Sequence, residues 1–437
     1  MGDLGKEKWA LFGTGKLMPY YRSMLLAAGE SISRYIDNNQ RKWDTSIEDI
    51  PVVSPKELVK GRYNIIISCS KEQEVRDQLY SMGIEQDYIF DSVKLFHHYI
   101  NKLAANSDCS YGNSGKIHDC IENIEERGRH TVLIDAYDGI GWGGTEMWSY
   151  HIAEGLQKKG YKVVVYGAKE QMKQLRWEPF ICRFPYDHED VNCWWEEVEN
   201  IAKDMENHVP FSLVNNWSAQ VLGAALVVKR RHPDLVRIVT VVHNDADFLY
   251  RRIEEFVEEM DVILCVSRHI MHKLRERCGL EGQKLYSRMN YIYLPENKGR
   301  NIRQEGEPLR IGWGGRIEVI QKRADLISKL ITRLDAEDVC YRMEIAGNGD
   351  YREELEEWIE KNGKTDHVRI LGFIPPEKMY EFWSRQHVYI NISDYEGSSL
   401  AMLEAIACGV VPVVTEVSGV SEAVSHGVNG FVVPLES

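Results

Sequence analysis

The stretch SDYEGSSLAMLEAIACG carries two glutamates, Glu396 and Glu404, on either side of a turn of small residues. A helix that begins near Ser399 would leave Glu396 in the preceding loop and place Glu404 inside the helix, so the two carboxylates need not share a helical face. Gly397 permits a close backbone approach, and Ser398 and Ser399 are good helix-capping residues. This pattern predicts a turn followed by a helix N-terminus.

The first amides of that helix belong to Leu400 and Ala401. Because such amides have no partner within the helix and carry partial positive charge, they favour an anion such as a diphosphate. Taken alone, the stretch also fits an ordinary interpretation in which Glu404 is a solvated helix residue and Glu396 a simple loop acid.

Two cations upstream favour the anion-binding interpretation. Arg316 and Lys322 follow the predicted strand LRIGWGG, in the loop and first helical turn beyond its carboxyl end. Ligands of open α/β sheets bind at such ends, and arginine offers bidentate contacts to phosphate oxygens. The pair could therefore neutralise a leaving nucleoside diphosphate, although each cation by itself could equally be a solvated surface charge.

Three successive α/β segments must position these residues. Residues 1–105 alternate strand, glycine turn and helix, residues 106–129 are polar and predict a linker, residues 130–300 begin with the strand TVLID, and residues 301–437 hold the last strand set. Alternation of strands and helices predicts parallel sheets that helices cover on both faces. The fold class is therefore α/β.

Composition sets limits on the class of protein. The 437 residues are 43% hydrophobic and 27% charged, which is ordinary for a globular protein, and no apolar stretch is long enough to cross a membrane. A net charge of −14 argues against nucleic-acid binding. The charged N-terminus is also unlike a secretory signal, so we expect a cytoplasmic location. Nine cysteines without a Cys-x-x-Cys pair predict reduced thiols and no metal site.

Several motifs occur in a specific order from residue 309 onward: GGRIEVIQKR, IAGNGD, VRILGF, the two glutamates, and ACGVVPVVTEVSGVSEAV. In this order they resemble the family-4, glycogen-synthase-like retaining glycosyltransferases of the GT-B fold, over roughly residues 130 to 437. The resemblance implies two facing Rossmann-like domains, with residues 1–105 as a small Rossmann-like addition. It also implies transfer of a sugar from a nucleoside-diphosphate sugar to a hydroxyl acceptor with retention, without a cofactor or metal.

The resemblance carries over to individual residues in the C-terminal part of the chain. It implies that Arg316 and Lys322 bind the donor pyrophosphate, with Gln321 as a rival for the lysine position. The backbone near Phe373 would meet the base, and Glu404 would hold the ribose hydroxyls. Glu396, with the amides of the turn that comprises Gly397, Ser398, Ser399 and Leu400, would meet the transferred sugar.

In the middle domain the resemblance assigns His243, which follows a predicted strand, to the donor sugar. Gly143 and Gly144 precede a helix whose N-terminus could face the sugar or the phosphates. A glycine turn or a lone histidine is also common as a structural feature, so both assignments depend on the family pattern.

Two further motifs have less certain roles. Gly13-Thr-Gly15-Lys16 with Asp37 is a partial dinucleotide fingerprint without its third glycine, so the N-terminal domain could bind a ligand, contact a protein or be empty scaffolding. The basic run 229–232 could touch anionic lipid at the inner membrane face if the acceptor is membrane-bound, but a solvated helix end is favoured.

Other functions remain open alongside transfer to a polysaccharide, glycolipid or glycoprotein glycan. A nucleotide-sugar-binding scaffold without turnover, or a GT-B epimerase or phosphorylase, would share the same pockets. The last residues, GFVVPLES, follow the last predicted strand directly. The resemblance leads us to expect terminal helices beyond that strand, and they are absent from this sequence.

Overall fold

The computed structural model describes residues 9–15, 18–27, 29–58, 63–69, 71–90, 92–105, 130–136, 143–167, 181–183, 194–280, 284–292 and 302–435. The predicted linker, 106–129, and Lys16 of the N-terminal glycine motif lie outside these residues. The chain divides into two units. The first comprises residues 1–139 and 153–238, and the second comprises residues 140–152 and 239–437.

The N-terminal part of the first unit is a small domain with its own six-stranded sheet. Its strands are β1 (Trp9–Phe12), β2 (Ile32–Ile36), β3 (Thr45–Ile47), β4 (Ile50–Val53), β5 (Asn64–Ile67) and β6 (Ile89–Phe90), in the order β3-β4-β2-β1-β5-β6. Only the β3–β4 hairpin is antiparallel among the pairings described. Helices α1 (Met18–Ala27), α2 (Glu72–Ser81) and α3 (Ser92–Ala105) complete it. Setting the hairpin strand aside, the remaining strands are all parallel, in the order β4-β2-β1-β5-β6.

The rest of the first unit forms a second parallel layer. Strands β7 (Thr131–Asp135), β8 (Lys162–Tyr166), β9 (Ile181–Arg183) and β10 (Phe211–Asn215) lie in the order β10-β7-β8-β9. Helix α4 (Gly144–Lys158) begins in the second unit, and α5 (Trp194–Glu206) and α6 (Ala219–Arg231) follow, before β11 (Val236–Val242). Residues 221–228 of α6 are all buried, because this apolar run meets neighbours on every side.

Within the first unit, α3 of the N-terminal domain packs against α6. A Cβ atom at Gly223 of α6 would lie 3.0 Å from the ring of Phe96 in α3, so glycine makes this close approach possible. The basic run 229–232 lies at the end of α6. Arg231 donates to Glu206 and to the carbonyl of Leu103, and Arg230 contacts the ring of His97. The expectation of a solvated helix end is therefore wrong for this run.

In the second unit, the end of β11 pairs in parallel with β12 (Val262–Cys265). Strand β12 in turn pairs in parallel with β13 (Leu285–Ser287). Helices α7 (Asp247–Phe256) and α8 (Arg268–Cys278) connect them. Ser267 caps α8 by accepting from the amide of Ile270, and Gly279 ends that helix in a left-handed conformation.

The C-terminal sheet is entirely parallel. Its strands are β14 (Leu309–Gly314), β15 (Tyr341–Ala346), β16 (Val368–Gly372), β17 (Val388–Asn391), β18 (Val411–Thr415) and β19 (Phe431–Val433), in the order β16-β15-β14-β17-β18-β19. The helices are α9 (Asp325–Ala336), α10 (Arg352–Lys361), α11 (Pro376–Ser384), α12 (Leu400–Ala407) and α13 (Val420–Ala423). The strand order reverses between β14 and β17, and ligands of open sheets bind in the crevice beyond such a point.

Two apolar clusters cover the faces of this sheet. Ile311, Trp313, Met343 and Ile345 alternate along β14 and β15 and pack with Ile327 and Leu355 of α9 and α10. Trp383, Met402 and Val414 belong to the cluster on α11, α12 and β18.

The cysteines that the structure describes as free thiols are Cys69, Cys265, Cys278, Cys340 and Cys408. None of the helices in the described part of the chain is long and apolar enough to span a bilayer.

Candidate functional site

The turn that follows β17 leads into the predicted helix N-terminus. Ser399 is the N-cap residue, and its hydroxyl accepts from the amide of Met402 at 3.3 Å. Helix α12 therefore starts at Leu400, as predicted. Glu404 lies inside this helix, and Glu396 lies before it. The amides of Leu400 and Ala401 stand in the first turn, where an intrahelical acceptor is lacking.

Glu396 is a buried carboxylate with two side-chain donors. Lys322 Nζ lies 2.5 Å from Oε1 of Glu396, and the hydroxyl of Ser393 donates to the same oxygen at 2.7 Å. Only 17% of the Lys322 side chain and 7% of the Glu396 side chain are exposed. Removing either partner would leave a buried charge without its counter-ion, which is far more costly than losing a surface pair.

Gln321 and Arg316 form a neighbouring layer of contacts. The Gln321 side chain is 5% exposed, accepts from Arg316 at 3.1 Å and donates to the carbonyl of Tyr395 at 3.1 Å. Its amide is thereby occupied in holding the two loops together, whereas the Lys322 ammonium reaches Glu396. The side chain of Arg316 is exposed, and the pyrophosphate roles of Arg316, Lys322 and the rival Gln321 stay predictions.

Glu318 explains how this loop is shaped. Its carboxylate accepts from the backbone amides of both Gln321 and Lys322, the latter at 2.7 Å. Arg323, the next residue, has a φ of 51° and pairs with Asp325 and Asp394. A non-glycine residue in the left-handed region turns the chain sharply. Residue pattern alone gave no signal of this turn.

His243 and Gly397 lie in direct backbone contact within the second unit. Gly397 forms an antiparallel bridge with Asn244, and the carbonyl of Glu396 accepts from the amide of Asp245 at 3.1 Å. A Cβ atom at Gly397 would lie 1.8 Å from the carbonyl oxygen of His243, so only glycine fits. The structure thus places His243 beside the turn that holds Glu396 and Gly397.

The His243 ring packs edge-on against Trp148 of α4, with 5.0 Å between the ring centroids. Desolvation lowers the pKa of His243 well below its usual range, so the imidazole is neutral at neutral pH. A neutral imidazole can both donate and accept a hydrogen bond, which suits contact with sugar hydroxyls.

The predicted glycine turn of α4 also reaches this region of the second unit. A Cβ atom at Gly144 would lie 3.7 Å from Leu400 Cδ1, so the N-termini of α4 and α12 are neighbours. The amide of Gly143 donates to the buried carboxylate of Glu146 at 2.9 Å. Glu146 was not predicted, although a glutamate three residues after a helix start is a known capping signal.

Ser398 is also held in place by a residue that was not predicted. Asn290, just beyond β13, donates its side-chain N–H to the carbonyl of Ser398 at 2.7 Å, and its backbone amide donates to the Ser398 hydroxyl. Ser398 is 6% exposed. We infer that this serine stabilises the turn, because its hydroxyl is already engaged in the fold.

Glu404 and Phe373 are the two residues predicted to hold the nucleoside of the donor. Trp383 of α11 donates its indole N–H to Glu404 at 3.2 Å, and burial raises the pKa of Glu404 to about 7. Phe373 directly follows β16 and is 42% exposed. The ligand roles of both residues stay predictions.

In the N-terminal domain, Asp37 is engaged within the protein. Its carboxylate accepts from the Thr14 amide and hydroxyl and pairs with Lys42 at 2.8 Å. A ribose-binding aspartate would need these oxygens for its ligand. Among the residues that the structure describes, no group of three or more His, Cys, Asp or Glu side chains is arranged to hold a metal ion.

Three regions of the chain match known family models. Residues 304–437 match glycosyl transferases group 1, residues 142–287 match Glycosyltransferase Family 4, and residues 5–90 match the model described as C2185-like, N-terminal.

Among curated relatives, a phosphatidylinositol N-acetylglucosaminyltransferase subunit from Arabidopsis thaliana is 26% identical over 64% of this chain and 66% of its own length. The amylovoran biosynthesis glycosyltransferase AmsK of Erwinia amylovora is 28% identical over 45% of this chain and 51% of its own length. The chain thus matches about half to two thirds of these relatives.

Solved structures show the same fold. Anabaena Alr3699/HepE, in complex with UDP and glucose, has a TM-score of 0.56 at 16% identity and covers 70% of this chain and 86% of its own. Sucrose-phosphate synthase from Thermosynechococcus elongatus has a TM-score of 0.53 at 16% identity, covering 71% and 87%. With the family models, these matches confirm the prediction of a GT-B glycosyltransferase fold with a separate small N-terminal domain.

Proposed function

We propose that this chain transfers a sugar from a nucleoside-diphosphate sugar to a hydroxyl acceptor with retention of configuration. The observation that carries the proposal is the buried Lys322–Glu396 pair, which lies beyond the point where the sheet order reverses and beside the N-terminus of α12. The cation and the helix amides suit a nucleoside diphosphate, and the carboxylate suits the hydroxyl groups of a sugar.

Breaking the bond between the anomeric carbon and the diphosphate oxygen leaves an electron pair and negative charge on the diphosphate. Arg316 and Lys322, with the amides of Leu400 and Ala401, would stabilise that charge; their contacts with Gln321 and Glu396 support this role. Because these groups are held by the fold before the reaction, they need little reorganisation in the transition state. The acceptor hydroxyl would bond the anomeric carbon, and its proton would pass to the departing diphosphate.

Other residues would hold the sugar and the nucleoside. The neutral imidazole of His243 and the carboxylate of Glu396 are joined through the Gly397 contact and would meet the sugar hydroxyls. Glu404 would accept from the ribose hydroxyls, and the backbone near Phe373 would meet the base. UDP in the Alr3699/HepE structures supports a uridine nucleotide as the first donor class to test.

The names of the relatives support a glycan or lipid-linked acceptor. One acts in amylovoran biosynthesis, and another belongs to a phosphatidylinositol N-acetylglucosaminyltransferase. Contact with a membrane surface, if the acceptor is a lipid, would need residues other than the run 229–232, because Arg230, Arg231 and His232 are engaged within the first unit.

The test is a measurement of UDP release from a panel of UDP-sugars, with and without candidate acceptors. Arg316→Ala should lower kcat/KM by about 100-fold, since one lost contact to developing charge is worth about 2.7–4 kcal/mol. Its fold should remain intact, because the Arg316 side chain is exposed. Lys329→Ala, an exposed lysine on α9, is the matched control and should react like the parent.

Binding of UDP-sugar without turnover in the parent would instead indicate a nucleotide-sugar-binding scaffold. Equal kinetics in Arg316→Ala and the parent would overturn the donor-site assignment.

A further inference from the structure

We propose that the amino-terminal edge of the C-terminal sheet holds a second anion site, which takes a phosphate group. A cavity of about 170 Å³ opens there, lined by Arg310, Arg342, Arg369 and Arg385 together with Glu344 and Asp366. Arg310 is near the start of β14, whereas Arg316 lies beyond its end. At about 3.3 Å per residue, the two ends of β14 are about 17 Å apart, so this cavity is distinct from the donor site.

Strand register brings the arginines together on one face of the sheet. Arg310 lies opposite Arg342 in the pairing of β14 with β15, and Arg369 lies opposite Glu344 in the pairing of β15 with β16. The apolar residues between them, such as Ile311 and Met343, point to the opposite face and into the core. Like charges that lie directly opposite destabilise a sheet unless a counter-charge is present.

The carboxylates nearby leave much of this positive charge unbalanced. Glu344 is engaged by the Gln386 side chain at 2.7 Å, and Arg310 approaches Glu307 only to 3.6 Å. Across the described part of the chain, neither Arg342 nor Arg369 has a carboxylate oxygen within 4.0 Å of its guanidinium, so Asp366 pairs with neither. Both arginine side chains are exposed. The cavity therefore combines an excess of guanidinium over carboxylate groups with access for a ligand.

The covering of the sheet explains why the cavity is open. Trp383 and Gln386 pack closely over Gly312 and Gly314, so α11 and the turn after it cover the middle and end of β14. Nearer the start of the sheet, Arg342 of β15 and Arg369 of β16 are exposed on this face. A parallel sheet is normally buried on both faces, so an open, arginine-lined part of such a sheet is unusual. A bound anion would cover this part and balance its positive charge.

The chemistry of the cavity selects the ligand. Guanidinium groups bind oxyanions through paired N–H donors, which match phosphate geometry. The volume is below the roughly 300–1,000 Å³ of pockets for drug-sized molecules, so the cavity suits one phosphate group. That group can be a free ion or the phosphomonoester end of a lipid, and an experiment can separate these two sources.

The experiment titrates the full-length chain with inorganic phosphate at constant ionic strength and follows both calorimetric binding and the melting temperature. The variant is Arg342→Gln with Arg369→Gln, and Arg333→Gln, an exposed arginine on α9, is the matched control. The double variant should bind phosphate at least about tenfold more weakly, since two charge-assisted contacts are lost. The Arg333→Gln control should bind phosphate like the parent.

A second measurement does not depend on binding. In phosphate-free buffer of low ionic strength, the double variant should melt at or above the temperature of the parent, because the repulsion between neighbouring arginines is removed. Phosphate should raise the melting temperature of the parent and leave that of the double variant nearly unchanged.

Vesicles of phosphatidylcholine, with and without phosphatidic acid, distinguish the sources. Binding of the parent only to vesicles with phosphatidic acid, lost in the double variant, would assign the site to a lipid phosphate. Binding of inorganic phosphate without vesicle binding would assign it to a soluble ligand. Phosphate affinity of the double variant equal to that of the parent, without vesicle binding by either, would overturn the proposal.

Discussion

Glu404 shows how a single buried residue can couple pH to both stability and ligand binding. Burial in α12 raises the pKa of Glu404 to about 7, above its ordinary value of 4.5, so the folded protein prefers the protonated form. This group therefore favours the folded state below its unfolded pKa, and that advantage is lost as the pH rises from about 4.5 to 7. Ribose hydroxyls, in contrast, would prefer the ionised carboxylate as acceptor.

We expect Glu404→Gln to separate these two effects. The amide oxygen can still accept from Trp383, so the variant should melt higher relative to the parent at pH 8 than at pH 5. UDP affinity, measured by calorimetry, should rise in the parent between pH 6 and pH 8 and be about tenfold or more weaker in the variant at pH 8. Glu337→Gln, on the surface at the end of α9, is the control. Identical pH profiles in the variant and the parent would contradict the assignment.

At the scale of the elements, residue pattern predicted the parts of the site that depend on local sequence. The strands that end before Arg316 and Glu396, and the helix that starts after Ser399, follow from apolar runs and a capping serine. The family resemblance favoured Lys322 over Gln321, but the left-handed turn at Arg323 that follows them had no signal in the residue pattern. The Trp383 indole at Glu404 was missed for a similar reason, since it comes from a different helix.

The turn that holds Glu396 and Gly397 contacts the residues that follow β11. Among the contacts between elements, we expect this one to be the most sensitive to mutation. Gly397→Ala would place a Cβ atom 1.8 Å from the His243 carbonyl and 2.7 Å from Val266. We expect it to lower stability by about 1–3 kcal/mol and to reduce UDP release by more than that loss explains, because Glu396 and His243 would move apart.

The control for this substitution is Gly155→Ala in α4, where a Cβ atom would meet nothing within 4 Å. An alanine there should raise stability by about 0.5–1 kcal/mol. Denaturant unfolding of both variants is the measurement. A Gly397→Ala protein with the stability and turnover of the parent would show that the turn does not need this close approach.

At the scale of the whole molecule, the sequence predicted an independent N-terminal domain. That prediction follows from the self-contained order of its strands and from the polar segment 106–129. The packing of α3 on α6 could not be inferred from the sequence, because a glycine and an apolar stripe on α6 are compatible with many partners. In the structure, the N-terminal domain covers part of α6 within the first unit, with Phe96 over Gly223.

Gly223→Leu tests whether this packing is part of the stable fold. The larger side chain would force Phe96 and Ile100 away from α6, since even a Cβ atom would lie 3.0 Å from the Phe96 ring and 3.4 Å from Ile100. We expect the full-length variant to lose about 1–3 kcal/mol of unfolding free energy in denaturant titrations. UDP binding at low denaturant should be unchanged, because the donor-site residues lie in the second unit. If the variant unfolds like the parent, the contact between α3 and α6 does not contribute to stability, and the N-terminal domain could be deleted without loss of stability. If a folded variant loses UDP binding, the N-terminal domain helps to position the donor site.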